Sequence, residues 1–242
     1  MKRTIVILTT MILLGITLNS CYIDNRNIKG QGPVVEQTFD LPDITGVALS
    51  IDANVIVTRG DTQTVTIEAQ QNIINNIKKY ISSNGTWRID YYDNVKSHAG
   101  ITIRITTPDF DYATVSGSGN IETNGIFSAP GNVEVRISGS GSIIMDVEAQ
   151  KVISEISGSG HITLYGSAQE HNINISGSGK ISAFDLITQT TSIKISGSGN
   201  CEITAEDYLD VTISGSGNVY YKGNPQISTH ISGSGNLFKV NN

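Results

Sequence analysis

Apolar and polar residues alternate with period two along most of the second half of the chain. In "NINISGSGKISAF" (residues 172–184), Ile173, Ile175, Gly177, Gly179, Ile181 and Ala183 fall on one side, and Asn174, Ser176, Ser178, Lys180 and Ser182 on the other. "VEVRISGSGSI" repeats the arrangement with Val133, Val135 and Ile137 before the glycines and Ile143 after them. Alternation of this kind predicts strands with one buried face, and the β-branched residues fit that reading. Helical spacing is almost absent beyond residue 100.

The strands carry a repeat. "ISGSG" occurs six times and "VSGSG" once, with first serines at Ser116, Ser138, Ser157, Ser176, Ser196, Ser214 and Ser232. The steps between them are 22, 19, 19, 20, 18 and 18 residues. A period near 20 indicates a solenoid, in which each unit buries its apolar side on its neighbours. The expected fold is therefore all-β: a right-handed, single-stranded parallel β-helix (β-solenoid) with coils of about 18–22 residues. By the alternation, the paired glycines fall inward: Gly117 and Gly119, Gly139 and Gly141, Gly158 and Gly160, Gly177 and Gly179, Gly197 and Gly199, Gly215 and Gly217, Gly233 and Gly235. They are predicted to build a tight structural corner, since glycine accepts unusual backbone angles and close approach. The serines are then expected outside, in ladders about 4.8 Å apart. The positions after the glycines, Ile121, Ile143, Ile162, Ile181, Cys201, Val219 and Leu237, are expected to form an apolar column, with Cys201 as a small apolar filler.

The glycines and serines raise three chemical readings, and the sequence weakens each. A phosphate-binding loop needs Lys-Ser/Thr and a following helix, whereas here strand-like residues follow every copy. A calcium-binding β-roll needs a repeated Asp after its glycines, and none is present. A nucleophilic serine needs a G-x-S-x-G elbow with a base, and His98, His161, His171 and His230 keep no regular spacing from the serines.

Residues 38–242 read as one domain, with irregular strands over 38–114 and seven repeats over 115–242. "GVALSIDANVIVTRGD" followed by "TVTIEA" suggests a hairpin or an irregular early coil. "NIINNIKKYI" (72–81) has near-helical isoleucine spacing and predicts a short helical turn. "TWRIDYY" and "GITIRITTPDF" return to strand alternation. These early strands are expected to cap or start the solenoid, because an open edge invites pairing with another chain.

The chain opens with Lys2 and Arg3, then an apolar run too short to span a membrane, ending in Leu18-Asn19-Ser20-Cys21. That is the layout of a secretory signal over residues 1–20. The ending resembles the lipobox of bacterial lipoproteins, which makes Cys21 the expected lipidation site and the membrane a partner through a lipid anchor. Residues 21–37, with Gly30, Gly32 and Pro33, read as a polar tether. The formal net charge is −6, and −8 once Lys2 and Arg3 leave with the signal. An acidic chain without a basic cluster argues against nucleic acid. No cofactor, metal site or catalytic residue is indicated.

The lipobox, "ITGVALSIDANVIVTRGDTQTVTIEAQQNI", "GITIRITTPDF" and the tandem "ISGSGNI" units together resemble the bacterial putative auto-transporter adhesin, head GIN domain family, over roughly residues 38–242. That resemblance implies a right-handed single-stranded β-helix on a lipoprotein of the Gram-negative cell envelope; Tyr22 after Cys21, with no acidic residue immediately behind, makes the outer membrane the expected residence. It supplies no catalytic residues and no ligand. The function expected first is non-enzymatic binding of an extended partner, a polysaccharide or a protein, through a rigid β surface. Tyr208, Tyr220 and Tyr221 are candidates for stacking on sugars. A second reading is a polysaccharide lyase or hydrolase, for which Asp109, Asp111, Glu134, Asp146 and Glu148 are the carboxylates at hand, without a recurring cluster. A third is a purely structural scaffold.

Overall fold

The computed structural model describes residues 27–241. The expected signal (1–20), Cys21 and the first residues of the tether lie outside them. Ordered pairing begins inside the segment expected as tether. β1 (Ile28–Lys29) and β2 (Val34–Phe39) are strands, and β2 pairs in full with β5 (Thr64–Gln70).

The repeats form the expected solenoid. β11 (Phe127–Gly139), β12 (Ser142–Gly158), β13 (His161–Gly177), β14 (Lys180–Gly197) and β15 (Asn200–Gly215) stack in parallel, each on the one before. The last coil divides: β16 (Asn218–Lys222) and β17 (Gln226–Gly233) both lie on β15, and β18 (Asn236–Lys239) lies on β16. Glycine pairs with glycine from Gly117 through Gly139, Gly158, Gly177, Gly197 and Gly215 to Gly233. The apolar column runs Ile121–Ile143–Ile162–Ile181–Cys201–Val219–Leu237 as expected. Register shifts fall between Ala129 and Asn132, Thr163 and Tyr165, Ala183 and Ile187, and Thr188 and Thr190, all away from the glycines. The variable coil length is absorbed there as bulges, which a close-stacked corner has no room to hold.

Inside the coils the columns are mainly Ile, Val, Leu and Ala. Two polar groups interrupt them and pair with each other: Ser154 Oγ and His171 Nε2 lie 2.9 Å apart, both fully enclosed. Thr188 and Thr191 likewise share a hydrogen bond of 2.7 Å, and Thr188 also donates to the Thr204 carbonyl. Buried polar atoms must find such partners or cost stability.

The early part departs from chain order. β3 (Gly46–Leu49) and β4 (Asn54–Arg59) make a coil directly beneath β9 (Tyr112–Gly117) and β10 (Asn120–Asn124). The chain between them descends and returns. β5, the helix α1 (Gln71–Asn76), β6 (Thr86–Ile89), β7 (Val95–Ser97) and β8 (Thr102–Thr107) build the layers below, with β6 under β3 and β8 under β4. Of the two arrangements expected there, an irregular early coil or a hairpin, the hairpin of β4 with β5 does not form, because β8 separates them, parallel to β4 and antiparallel to β5. β5 and β2 then close this end with two antiparallel strands. The helical turn expected in 72–81 is α1, whose Ile73 and Ile74 are buried; beyond it Ile77 and Ile81 bridge to Tyr91 and Trp87. Trp87 is fully buried and donates its indole N–H to the Lys78 carbonyl at 2.9 Å.

Candidate functional site

The glycine corner is the first candidate, and its geometry is structural. The first glycine of each pair has φ between +120° and +139°. That angle interrupts the alternation, so these glycines sit at the surface or half-buried rather than inward. The expectation of two inward glycines holds only for the second of each pair: Gly119, Gly141, Gly160, Gly179, Gly199, Gly217 and Gly235 are all buried. A Cβ on Gly177 would lie 2.5 Å from the Gly158 carbonyl oxygen, and one on Gly179 2.5 Å from Ile156 Cγ2. The first glycine's carbonyl accepts the N–H of the second serine one coil up, as between Ser178 and Gly158 at 2.9 Å. The first and second serines face solvent in every copy. Beside them runs an outward ladder in which Asn120 donates to Asn54 at 2.9 Å and Ser142 to Asn120 at 2.7 Å.

The structure disperses most of the other candidates. Tyr221 points inward and is 9% exposed, so it offers no platform; Tyr208 is 39% exposed. Tyr220 stacks on Phe238, with centroids 5.3 Å apart and planes at 21°. Cys201 is enclosed in the apolar column, and burial pushes its thiol well above its ordinary range, consistent with a filler. Burial likewise lowers His171 to about 3, leaving a neutral imidazole. Among the carboxylates, Asp111 is raised by burial first and, less, by the charges of Asp109 and Glu134. Glu134 is also paired with Arg136 at 3.1 Å, and Arg136 reaches Glu155 at 2.9 Å. Glu148 accepts from Ser128 at 3.2 Å on a different part of the coil. Among the described residues no group of three or more His, Cys, Asp or Glu could hold a metal ion.

A second repeat, which the sequence reading did not single out, lines an open groove. "SAP" (128–130), "EAQ" (148–150), "SAQ" (167–169) and "ITQ" (187–189) stand in register, Ser128–Glu148–Ser167–Ile187 beside Ala129–Ala149–Ala168–Thr188. Together they form an open furrow of about 750 Å³ that crosses four coils parallel to the solenoid axis. Small side chains at Ala129, Ala149 and Ala168 make the floor. Glu148, Ser167, Gln169 and Gln189 supply polar walls, and Ile187 an apolar one. The signal was present as a recurring small residue followed by Gln or Pro, 11 to 13 places after Ser116, Ser138, Ser157 and Ser176. The louder glycine corner obscured it.

A family model for the putative auto-transporter adhesin, head GIN domain, matches residues 43–225. Among solved structures, a putative adhesin from Bacteroides fragilis NCTC 9343 superposes with a TM-score of 0.80 at 20% identity, covering 88% of this chain and 100% of that one. A putative lipid binding protein from Parabacteroides distasonis ATCC 8503 gives 0.76 at 23% identity, covering 89% and 100%. A putative adhesin from Parabacteroides merdae ATCC 43184 gives 0.66 at 21% identity, covering 89% and 99%. These likenesses show the shared fold. No curated protein matches the chain. By its family match across most of its length, this chain belongs to the putative auto-transporter adhesin, head GIN domain family.

Proposed function

We propose that this chain is a lipid-anchored envelope protein that binds an extended partner, first of all a polysaccharide, along its axial furrow and without catalysis. The observation that carries this reading is the furrow itself. It is open at the surface, continuous over four coils, floored by alanines and walled by Gln, Ser and Glu. Side-chain amides, hydroxyls and carboxylates at a fixed spacing suit the hydroxyls of an extended sugar chain. The parallel ladders engage the backbone of Ser128, Glu148, Ser167 and Ile187 and of Ala129, Ala149, Ala168 and Thr188, so along these positions side chains supply the contacts. The family's adhesin description supports residence at the cell envelope or surface. The lipobox supports anchoring through Cys21, in either the outer membrane or another envelope face.

The test has two arms. Gln169→Ala combined with Gln189→Ala should abolish binding in a polysaccharide array while leaving the thermal melt of the full chain unchanged. Retained binding would remove the furrow from the account. For the anchor, Cys21→Ser should shift the protein from the detergent phase to the aqueous phase; unchanged partitioning would exclude it.

A further inference from the structure

The two ends of the solenoid are finished differently, and the difference points to a second binding site. At one end β5 and β2 run antiparallel across the stack. At the other, β17 and β18 are each paired on one side only. Ile227 and Ile231 occupy the inward positions above Leu209 and Ile213, yet they are 40% and 39% exposed where the residues beneath them are 0% exposed. Phe238 ends an aromatic stack on Tyr220 and is itself 43% exposed. β17, "QISTHISG", contains no proline and no inward charge, the usual devices that keep an edge strand from pairing.

Charge sets this end apart as well. Residues 211–242 hold Lys222, Lys239 and His230 and no Asp or Glu, in a chain whose formal net charge is −6; Asp210, paired with Ser228, lies in the coil beneath. We propose that this end is a strand-addition site for an extended, acidic polypeptide segment of a partner protein, which lies on β17 and β18 as one further coil. The free backbone groups of an edge strand match another polypeptide backbone, not a sugar chain. Apolar side chains of the segment would cover Ile227, Ile231 and Leu237, and a ring would continue the stack on Phe238. A second copy meeting this end with its own would bring like charges together. The site is separate from the furrow and does not depend on it.

The probe is a synthetic peptide of the sequence Tyr208–Lys222 carrying Thr212→Glu. Set in the register that β15 and β16 keep with β17 and β18, it places a carboxylate over His230 and a tyrosine ring over Phe238. With the full chain in mild detergent, saturable binding by fluorescence anisotropy and a raised melting temperature are expected. Ile231→Lys in the protein should abolish binding at an unchanged melt without peptide. Phe238→Ala should weaken it, and serves should Ile231→Lys unfold the last coil. The peptide with Thr212→Lys instead should bind more weakly. Absence of binding, or binding indifferent to both protein variants, would overturn the proposal. So would a self-associated chain in sedimentation that Ile231→Lys dissociates, because the edge would then belong to a second copy.

Discussion

The same bend is made in two ways within this molecule. In the lowest coil that carries the repeat, Val115 and Asn120 flank Ser116-Gly117-Ser118-Gly119. In the coil beneath, the paired residues Leu49 and Asn54 flank Ser50-Ile51-Asp52-Ala53. Four residues join the two faces in both coils, yet one set has two glycines and the other none. Among the described residues none other than glycine has a positive φ, so Ile51 turns the corner in ordinary backbone geometry, with Ile51 and Ala53 both buried. The difference lies below. Under Leu49 and Asn54 the chain leaves the stack between Ile89 and Thr102, and no corner supports theirs. From Gly139 upward every corner sits on another, with the lower glycine oxygen within 2.6 Å of any added Cβ on the first glycine. The turn itself tolerates side chains; stacking one turn on another does not.

That contrast orders the glycine substitutions. Gly177→Val meets both a φ of +120° and the Gly158 oxygen at 2.5 Å. Strain at a special backbone angle and overpacking together predict a loss of about 3–5 kcal/mol, read as a lowered melting temperature. Gly177→Ala and Gly117→Ala then separate the two causes. Gly117 has a φ of +126°, but a Cβ there meets nothing within 4 Å. Gly117→Ala should therefore lose only the backbone strain, about 1–3 kcal/mol. Gly177→Ala should lose more. Equal melts for the two alanine variants would show that stacking contributes nothing.

The interior obeys a looser rule than the corner, and pH exposes it. The column through His171 reads Val133–Val152–His171–Thr191–Leu209, four different side chains filling one space in five coils. His171 is held neutral, its value lowered from 6.5 to about 3 by burial. Because the folded value lies below the unfolded one, the unfolded chain binds the proton more readily. The stability is whole above pH 6.5 and is lost as pH falls toward 3. Between pH 7 and pH 5 the expected loss is about 2 kcal/mol. His171→Val, copying the residue one coil below, should flatten that part of the pH profile of thermal melts. A slope that persists in His171→Val would have to come from other groups, among them His161, which burial also lowers.

The legibility of the sequence follows the same division. Identical corners in near-constant register demand identical residues, so the repeat, the strand alternation and the column from Ile121 to Leu237 could be read directly. The orientation of Gly117 and its equivalents could not, because a period of two assumes regular strand angles and a φ above +100° breaks it. The insertion of β5 to β8 below β3 and β4 left no periodic trace, since only long-range pairing places those strands. The furrow lay between: Ala149 and Ala168 recur at one azimuth, but Pro130, Gln169 and Gln189 on its rim face solvent and need not match.

The smallest effect is expected at the outer serines, and it tests the corner argument from the other side. If stacking constrains only what points toward the neighbouring coil, the seven-fold recurrence of serine is not required for stability. Ser178 is exposed, and it is its backbone N–H, not its hydroxyl, that bonds to the Gly158 carbonyl at 2.9 Å. Ser178→Ala keeps that bond and removes a group already solvated. The loss should stay within about 0.5 kcal/mol, the range of surface substitutions away from special features. Replacing Ser159, Ser178 and Ser198 together should then remain nearly additive, with no cooperative fall in the melt. A triple variant that loses far more than the single changes together would mean that the hydroxyls act along the ladder as a chain of hydrogen bonds. The serines would then belong to the structural corner along with the glycines.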